Sequence, residues 1–324
     1  MSAGRTAGAQ HPARGGAVAE RPQVPAQGGA PDGVDHARRA RRAPVRFTAL
    51  GDSLTEGVGD PGPEGGWRGW AAVLARSLAV DGDPATFSNL ARSGALSHDL
   101  AREQLPAARE FRPNLAAVVI GGNDTLRTGF DIHRTARELD TVLHALHHDG
   151  AVLLTACLPD PGLLLRLPKP LARPLARRML AVNRVVHALS DRYGAVHLHL
   201  AELPWSADRR LLSVDRLHPS AAGHHLIAEG FHARLRAAGH TLGPAPAADP
   251  GEPAPGRLAD AWWMATRGTR WVAERSTDLI PGLLALAAAE SVARLRGAPA
   301  RLDEQMARAA GTALAGLPGD PRRG

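Results

Sequence analysis

Cys157 is the only cysteine in 324 residues, so no internal disulfide can form. It lies in the apolar run Ala151–Leu158 and reads as a buried strand residue. Lysine is nearly absent as well: Lys169 stands alone, so the net charge of +7 rests on arginine. Such one-sided usage reads as the bias of a GC-rich genome rather than as a basic binding face. Residues 1–44 carry seven arginines against Glu20, Asp32 and Asp35, which leaves the middle of the chain close to neutral. The cluster Arg38-Arg39-Ala40-Arg41-Arg42 has no interleaved aromatics and reads as a solvated linker, so no nucleic-acid partner is expected. Long apolar runs are missing too. The longest charge-free stretch near the C-terminus, Leu279–Ala289, is broken by Pro281-Gly282 and falls short of the ~20 residues of a spanning helix. The first residues show no apolar core of a secretory signal, and with Met1 as the start the protein is expected to be cytoplasmic. No HExxH helix, thiolate cluster, P-loop or dinucleotide fingerprint occurs, so the expectation is no metal and no cofactor.

What the chain does have is alternation. Residues 1–44, rich in Ala, Gly, Pro and Arg, read as a disordered tail. Strands are then expected at Val45–Leu50, Ala85–Asn89, Asn114–Ile120, Ala151–Cys157 and Ala195–Leu200. Helical spacing appears at Trp70–Arg76, Asp99–Phe111, Asp131–His148, Leu175–Tyr193 and Ser220–Ala238. Strand and helix in turn predict an α/β domain over residues 45–240, a parallel sheet covered on both faces. At least one of Trp67 and Trp70 is expected in its core. Residues 241–256, with five prolines, read as a linker, 257–296 as a helical extension and 297–324 as a disordered tail. The extension is expected to dock on the domain or to mediate self-association.

The stretch Gly51-Asp52-Ser53-Leu54-Thr55-Glu56-Gly57 follows the first strand directly. Ser53 therefore sits at the carboxyl end of a strand, where open α/β sheets place their ligands. Taken alone, it reads equally well as a turn serine capping a short helix. Two further stretches add weight: Val118–Asp124 is a buried strand ending in Gly121-Gly122-Asn123-Asp124, and Asp215-Arg216-Leu217-His218 places a carboxylate three residues before a histidine. A serine needs a base to become a nucleophile, and His218 is the candidate, with Asp215 to orient it. His224 and His225, on the helix that follows, read as packing or surface residues.

These blocks, GDSLTEG at 51–57, Asn89 to Gly94, GGND at 121–124 and DRLHPS at 215–220, resemble in order and type the SGNH, or GDSL, esterase and lipase superfamily. The resemblance implies a flavodoxin-like three-layer α/β/α fold. It implies a cofactor-free serine esterase with catalytic Ser53, Asp215 and His218, and an oxyanion hole of Ser53 N–H, Gly94 N–H and the Asn123 side-chain amide. Asp52 and Asp124 read as structural hydrogen-bonders. The alternatives are an acyltransferase using the same site and a catalytically idle binding relative. The substrate class is a small-molecule, lipid or carbohydrate ester. The Asp160–Pro174 connection is long and apolar at Leu163, Leu164 and Leu165, which either pack over the sheet end or contact an acyl chain.

Overall fold

A computed structural model describes residues 44–63, 65–79, 83–205, 208–240, 242–247, 279–297 and 299–318. The N-terminal tail with its arginine cluster, most of the 241–256 linker and residues 257–278 of the extension lie outside these.

Five strands, β1 (Arg46–Gly51), β2 (Thr86–Asn89), β3 (Leu115–Val119), β4 (Val152–Cys157) and β5 (Val196–His199), pair in the order β2-β1-β3-β4-β5, all parallel. This is the doubly wound, flavodoxin-type order, with its switch point between β1 and β3. The helices are α1 (Ser53–Glu56), α2 (Gly69–Arg76), α3 (Ser97–Asp99), α4 (Leu105–Phe111), α5 (Gly122–Leu126), α6 (Ile132–His148), α7 (Pro161–Leu164), α8 (Lys169–Tyr193), α9 (Ala221–Ala237), α10 (Leu279–Leu295) and α11 (Pro299–Ala315). A π-helical turn, Leu100–Gln104, links α3 to α4.

Two layers cover the sheet. On one face Phe47, Ala49, Ala117 and Leu154 pack with Trp70 and Leu74 of α2 and Ile227 and Phe231 of α9. On the other, Leu50, Val118 and Leu153 pack with Leu139 and Leu143 of α6 and Val182 and Val185 of α8. Alternate strand residues point to opposite faces, so a strand buried on both reads as an unbroken apolar run. Trp70 is fully buried and stacks on Phe231, whereas Trp67 is exposed. Helix starts follow local chemistry: Asp131 accepts from His133 N and Arg134 N at the start of α6, and Ser220 accepts from Gly223 N at the start of α9. Each such cap contributes about 1 kcal/mol.

Two expectations are corrected. Helix α8 begins at Lys169, not Leu175, because Pro170 sits in the first turn, where a missing N–H costs nothing. Pro174 lies within the helix. The 160–174 stretch is thus a four-residue helix, a short turn and the start of α8. The segment 297–324, expected as a disordered tail, contains α11. Its Ala310, Ala313 and Leu317 are buried against α6 and α8. Helix α10 also docks on α8. Glu290 is fully buried there and accepts from Arg177 Nη2 at 2.8 Å. Its second oxygen lies 3.2 Å from Arg173 and 3.5 Å from Arg294, ion-pair contacts without hydrogen-bond alignment. Asp303 of α11 bonds both Arg173 and Arg177. Among the described residues, no helix is long and apolar enough to cross a membrane.

Candidate active site

The carboxyl ends of β1 and β3 deliver the first two groups. After β1, Asp52 caps α1 by accepting from Leu54 N at 3.1 Å, and Ser53 opens that helix. After β3, Gly121 turns the chain with φ 116, and a Cβ there would meet Val182 Cγ1 at 2.6 Å. Only glycine meets both demands, and the turn starts α5 with Asn123 in its first turn.

His218 arrives from the loop ahead of α9. The Asp215-to-His218 turn is tight, with Arg216 in the left-handed region at φ 60, a conformation uncommon for a long side chain. Asp215 Oδ1 accepts from Leu217 N at 2.9 Å, His218 N at 3.0 Å and Ser213 Oγ at 3.1 Å. Its Oδ2 lies 2.6 Å from His218 Nδ1. Burial works to raise the Asp215 carboxyl. The hydrogen bonds from the His218 ring and from the two backbone N–H groups outweigh it and hold the carboxyl below its usual range. An ionised carboxylate only accepts, so Nδ1 carries the proton and Nε2 is the acceptor. His218 Nε2 stands 2.7 Å from Ser53 Oγ.

The loop of the serine and the loop of the histidine touch at Gly59, where φ is 104 and a Cβ would collide with the Pro219 carbonyl oxygen. Asp60, buried, takes two 2.9 Å bonds from Arg68 and one of 3.1 Å from Gly69 N, which fixes the loop entering α2. His224 is a satisfied core histidine: it accepts from Trp70 N at 3.2 Å and its other nitrogen meets Val58 O at 3.0 Å. Burial pushes it down to about 4.

Asn123 faces the same cleft. One N–H of its amide reaches Ala95 O at 3.1 Å, and Nδ2 lies 3.5 Å from Asp52 Oδ2, at the limit of a hydrogen bond. Burial raises Asp52 to about 6, partly offset by the bond from Leu54 and the field of His218. Asp124 is buried and accepts from Ser97 N and Ser97 Oγ, which anchors the chain after Gly94. Gly94 itself has φ 82 in the turn beyond β2. It is not among the residues lining the cleft. Its neighbour Ser93 donates from both N and Oγ to Glu56, which ties that turn to α1. Among the described residues, neither Ser53 N–H nor Gly94 N–H donates a hydrogen bond.

The cleft beside Ser53 is apolar on its far side, walled by Leu126, Leu158, Leu164, Met179, Leu200, Trp205, Leu212 and Leu217. Of the three leucines expected there, only Leu164 lines it; Leu163 is 59% exposed and Leu165 stands outside the wall. The expectation for Leu163 and Leu165 is corrected because α7 turns Pro161 and Leu164 to the cleft and leaves Leu163 on its outer side, with Leu165 past its end. A wider, shallow depression at Leu105, Pro106, Arg109, Glu110 and Arg112 holds no serine, cysteine or histidine.

Two supporting amides escaped the sequence reading. Gln104 pairs with both backbone groups of Gly51, at 2.9 Å each. Asn183 does the same for Leu158, at 2.8 Å each. Each holds the end of a strand beside the cleft, across 53 and 25 residues respectively, and no local pattern signals them.

The model of the GDSL-like lipase/acylhydrolase family matches residues 49–226. The chain belongs to that family, and it is an ester hydrolase. A GDSL-like esterase of Mycobacterium tuberculosis is 30% identical over 218 residues, covering 65% of this chain and 67% of its own. A GDSL lipase of the same organism is 27% identical over 56% of this chain and 77% of its own. Among solved structures, an acetylxylan esterase from Geobacillus stearothermophilus matches 62% of this chain and 97% of its own, with 19% identity and a TM-score of 0.49.

Proposed function

We propose that the protein hydrolyses carboxylic esters through an acyl-serine intermediate on Ser53, with His218 as general base and acid and Asp215 as its orienting partner. The observation that carries the reading is the unbroken chain from Asp215 Oδ2 to His218 at 2.6 Å and from His218 to Ser53 Oγ at 2.7 Å. As Ser53 Oγ attacks the acyl carbon, its proton passes to His218 Nε2, and the imidazolium is stabilised by Asp215. The carbonyl oxygen becomes an oxyanion held by Ser53 N–H and the Asn123 N–H now spent weakly on Asp52, both of which line the cleft. His218 then protonates the departing alcohol oxygen as the C–O bond breaks. Water gives a proton to His218 and attacks the acyl-serine; the acid leaves and Ser53 regains its proton.

The apolar wall of Leu158, Leu164, Met179, Leu200 and Trp205 favours an ester whose acyl part is a hydrocarbon chain. The deciding experiment compares Ser53→Ala and His218→Ala with wild type on p-nitrophenyl esters and with a fluorophosphonate probe. Ser53→Ala should lose labelling and turnover while keeping its fold, and His218→Ala should lose comparable turnover, because the two residues act as a unit. A folded Ser53→Ala protein with wild-type turnover would reject the mechanism.

A further inference from the structure

A second cluster of reactive side chains lies where β4 and the edge strand β5 meet beneath α8. Alternate residues of a strand share a face. Thr155 and Cys157 of β4 therefore stand beside His197 and His199 of β5, paired in that register. Helix α8 lays His187 and, one turn on, Ser190 over the same face. One donor atom from each of Cys157, His187, His197 and His199 lies within 4.8 Å of all the others. The three imidazole rings have centroids 4.7, 5.3 and 4.8 Å apart.

The hydrogen bonds around this group fix its protons. Ser190 Oγ donates its single hydrogen to Val186 O at 2.6 Å. Ser190 must then accept from Thr155, whose Oγ1 is 2.7 Å away. Thr155, its own hydrogen spent, accepts from His197 Nδ1 at 2.9 Å. The proton of His197 is thereby assigned to Nδ1, and Nε2 keeps a bare lone pair. That Nε2 is buried without a hydrogen-bond partner, and so is His187 Nε2. His199 Nδ1 faces Cys157 Sγ at 3.9 Å. Two buried imidazole nitrogens without partners, one of them a bare acceptor, stand within one small cluster of metal-ligating side chains, and an ion would satisfy both.

We propose that Cys157, His187, His197 and His199 form a site for one zinc ion, with one thiolate and three neutral imidazoles around it. A mixed sulfur and nitrogen set suits this borderline ion, whereas calcium and magnesium demand oxygen ligands. The Thr155 bond to His197 Nδ1 is the outer support that ligating histidines use to hold their rings. On binding, the Cys157 thiol releases its proton to solvent and its sulfur coordinates as thiolate. Tetrahedral zinc with ordinary bond lengths spaces one sulfur and three nitrogens about 3.3–3.6 Å apart, so the cluster closes by roughly 1 Å as it loads. The His199 side chain, 39% exposed, gives the ion its way in, and Glu202 stands 3.8 Å from its ring at the mouth. Four protein ligands make a closed shell, so the site clamps β5 to β4 and α8 and takes no part in the ester chemistry.

The test uses the full chain stripped by chelator and titrated with Co²⁺ and then Zn²⁺. Wild type should bind one equivalent of Co²⁺ with a thiolate-to-cobalt charge-transfer band and the strong visible bands of tetrahedral cobalt. Zn²⁺ should displace it and raise Tm. Cys157→Ser should lose the charge-transfer band, and His199→Gln should weaken Zn²⁺ binding by at least about 100-fold, since losing a ligand costs no less than losing an outer support. Both should keep ester hydrolysis and far-UV circular dichroism; His199, on an exposed edge, guards against loss of fold in the buried cysteine variant. Ser53→Ala should bind metal as wild type does. Equal zinc binding by wild type and His199→Gln, or a cobalt spectrum without the thiolate band, overturns the proposal.

Discussion

Asp52 offers a quantitative test of how the site is built. Its carboxyl is buried beside Ser53, and desolvation raises it from 3.8 to about 6. Below about pH 4 the group is protonated in folded and unfolded chains alike and adds nothing to the pH dependence. Between about pH 4 and pH 6 only the folded state holds the proton, so its contribution to stability falls as pH rises. Above that the carboxylate is charged in both states, and the cost of ionising it in the interior remains. Two pKa units at 1.36 kcal/mol each set that cost at about 3 kcal/mol, an upper figure. Asp52→Asn keeps a side-chain oxygen for the bond from Leu54 N and removes the titration. The variant should therefore gain stability relative to wild type as pH rises from about 4 to 7, by up to about 3 kcal/mol. Urea unfolding of both proteins across that range measures the difference, and other carboxylates largely cancel. A difference that stays level, or one that slopes the other way, would refute the argument that burial governs this carboxyl.

Asn123→Ala should lower kcat by ~10²–10³-fold with little change in KM, since the oxyanion exists chiefly in the transition state; unchanged kcat with raised KM would make it an ordinary substrate contact. Leu164→Ser should penalise octanoyl esters far more than acetyl esters in kcat/KM, each buried CH₂ being worth up to ~0.8 kcal/mol. Leu163→Ser, at an exposed position, should leave that preference alone. A uniform loss across the acyl series for Leu164→Ser would remove α7 from the acyl site.

The sheet was legible because all its central strands are buried on both faces and appear as short apolar runs, β1, β3 and β4 within a residue or so of their observed limits. The blocks that hold Ser53, Asp215 and His218 stood out because each is compact in sequence, the first just after β1 and the second in the loop ahead of α9. Features assembled by tertiary contact were not. Prolines at 170 and 174 hid the first turns of α8. Helix α11 buries mostly alanines, whose small apolar surface leaves the segment close in composition to a polar tail. The four-ligand cluster joins Cys157, at the end of β4, to a helix 30 residues on and to an edge strand beyond it. The expectation of no metal rested on the lack of an HExxH helix and of a thiolate cluster, and ligands gathered from β4, α8 and β5 leave no such local pattern. Gln104 and Asn183 are single amides whose partners are set by the fold alone.

The docking of α10 and α11 on α8 has a consequence for how the chain is made. The family match ends at residue 226, yet Ala310, Ala313 and Leu317 complete the core between α6 and α8, and Arg192 bonds Pro318 O at 3.0 Å. During synthesis α8 is finished well before α11 exists. At ordinary elongation rates the interval is roughly 6–25 s. For that time the outer surface of α6 and α8 is uncovered, and Arg173 and Arg177 lack the acids that later hold them. Ribosome-bound chains stalled ahead of residue 299 should stay protease-sensitive along α8, and chains stalled there with the protection of the finished protein would show the helices to be an ornament. On this account native protection along α8 is reached only once residues 299–318 have left the ribosome.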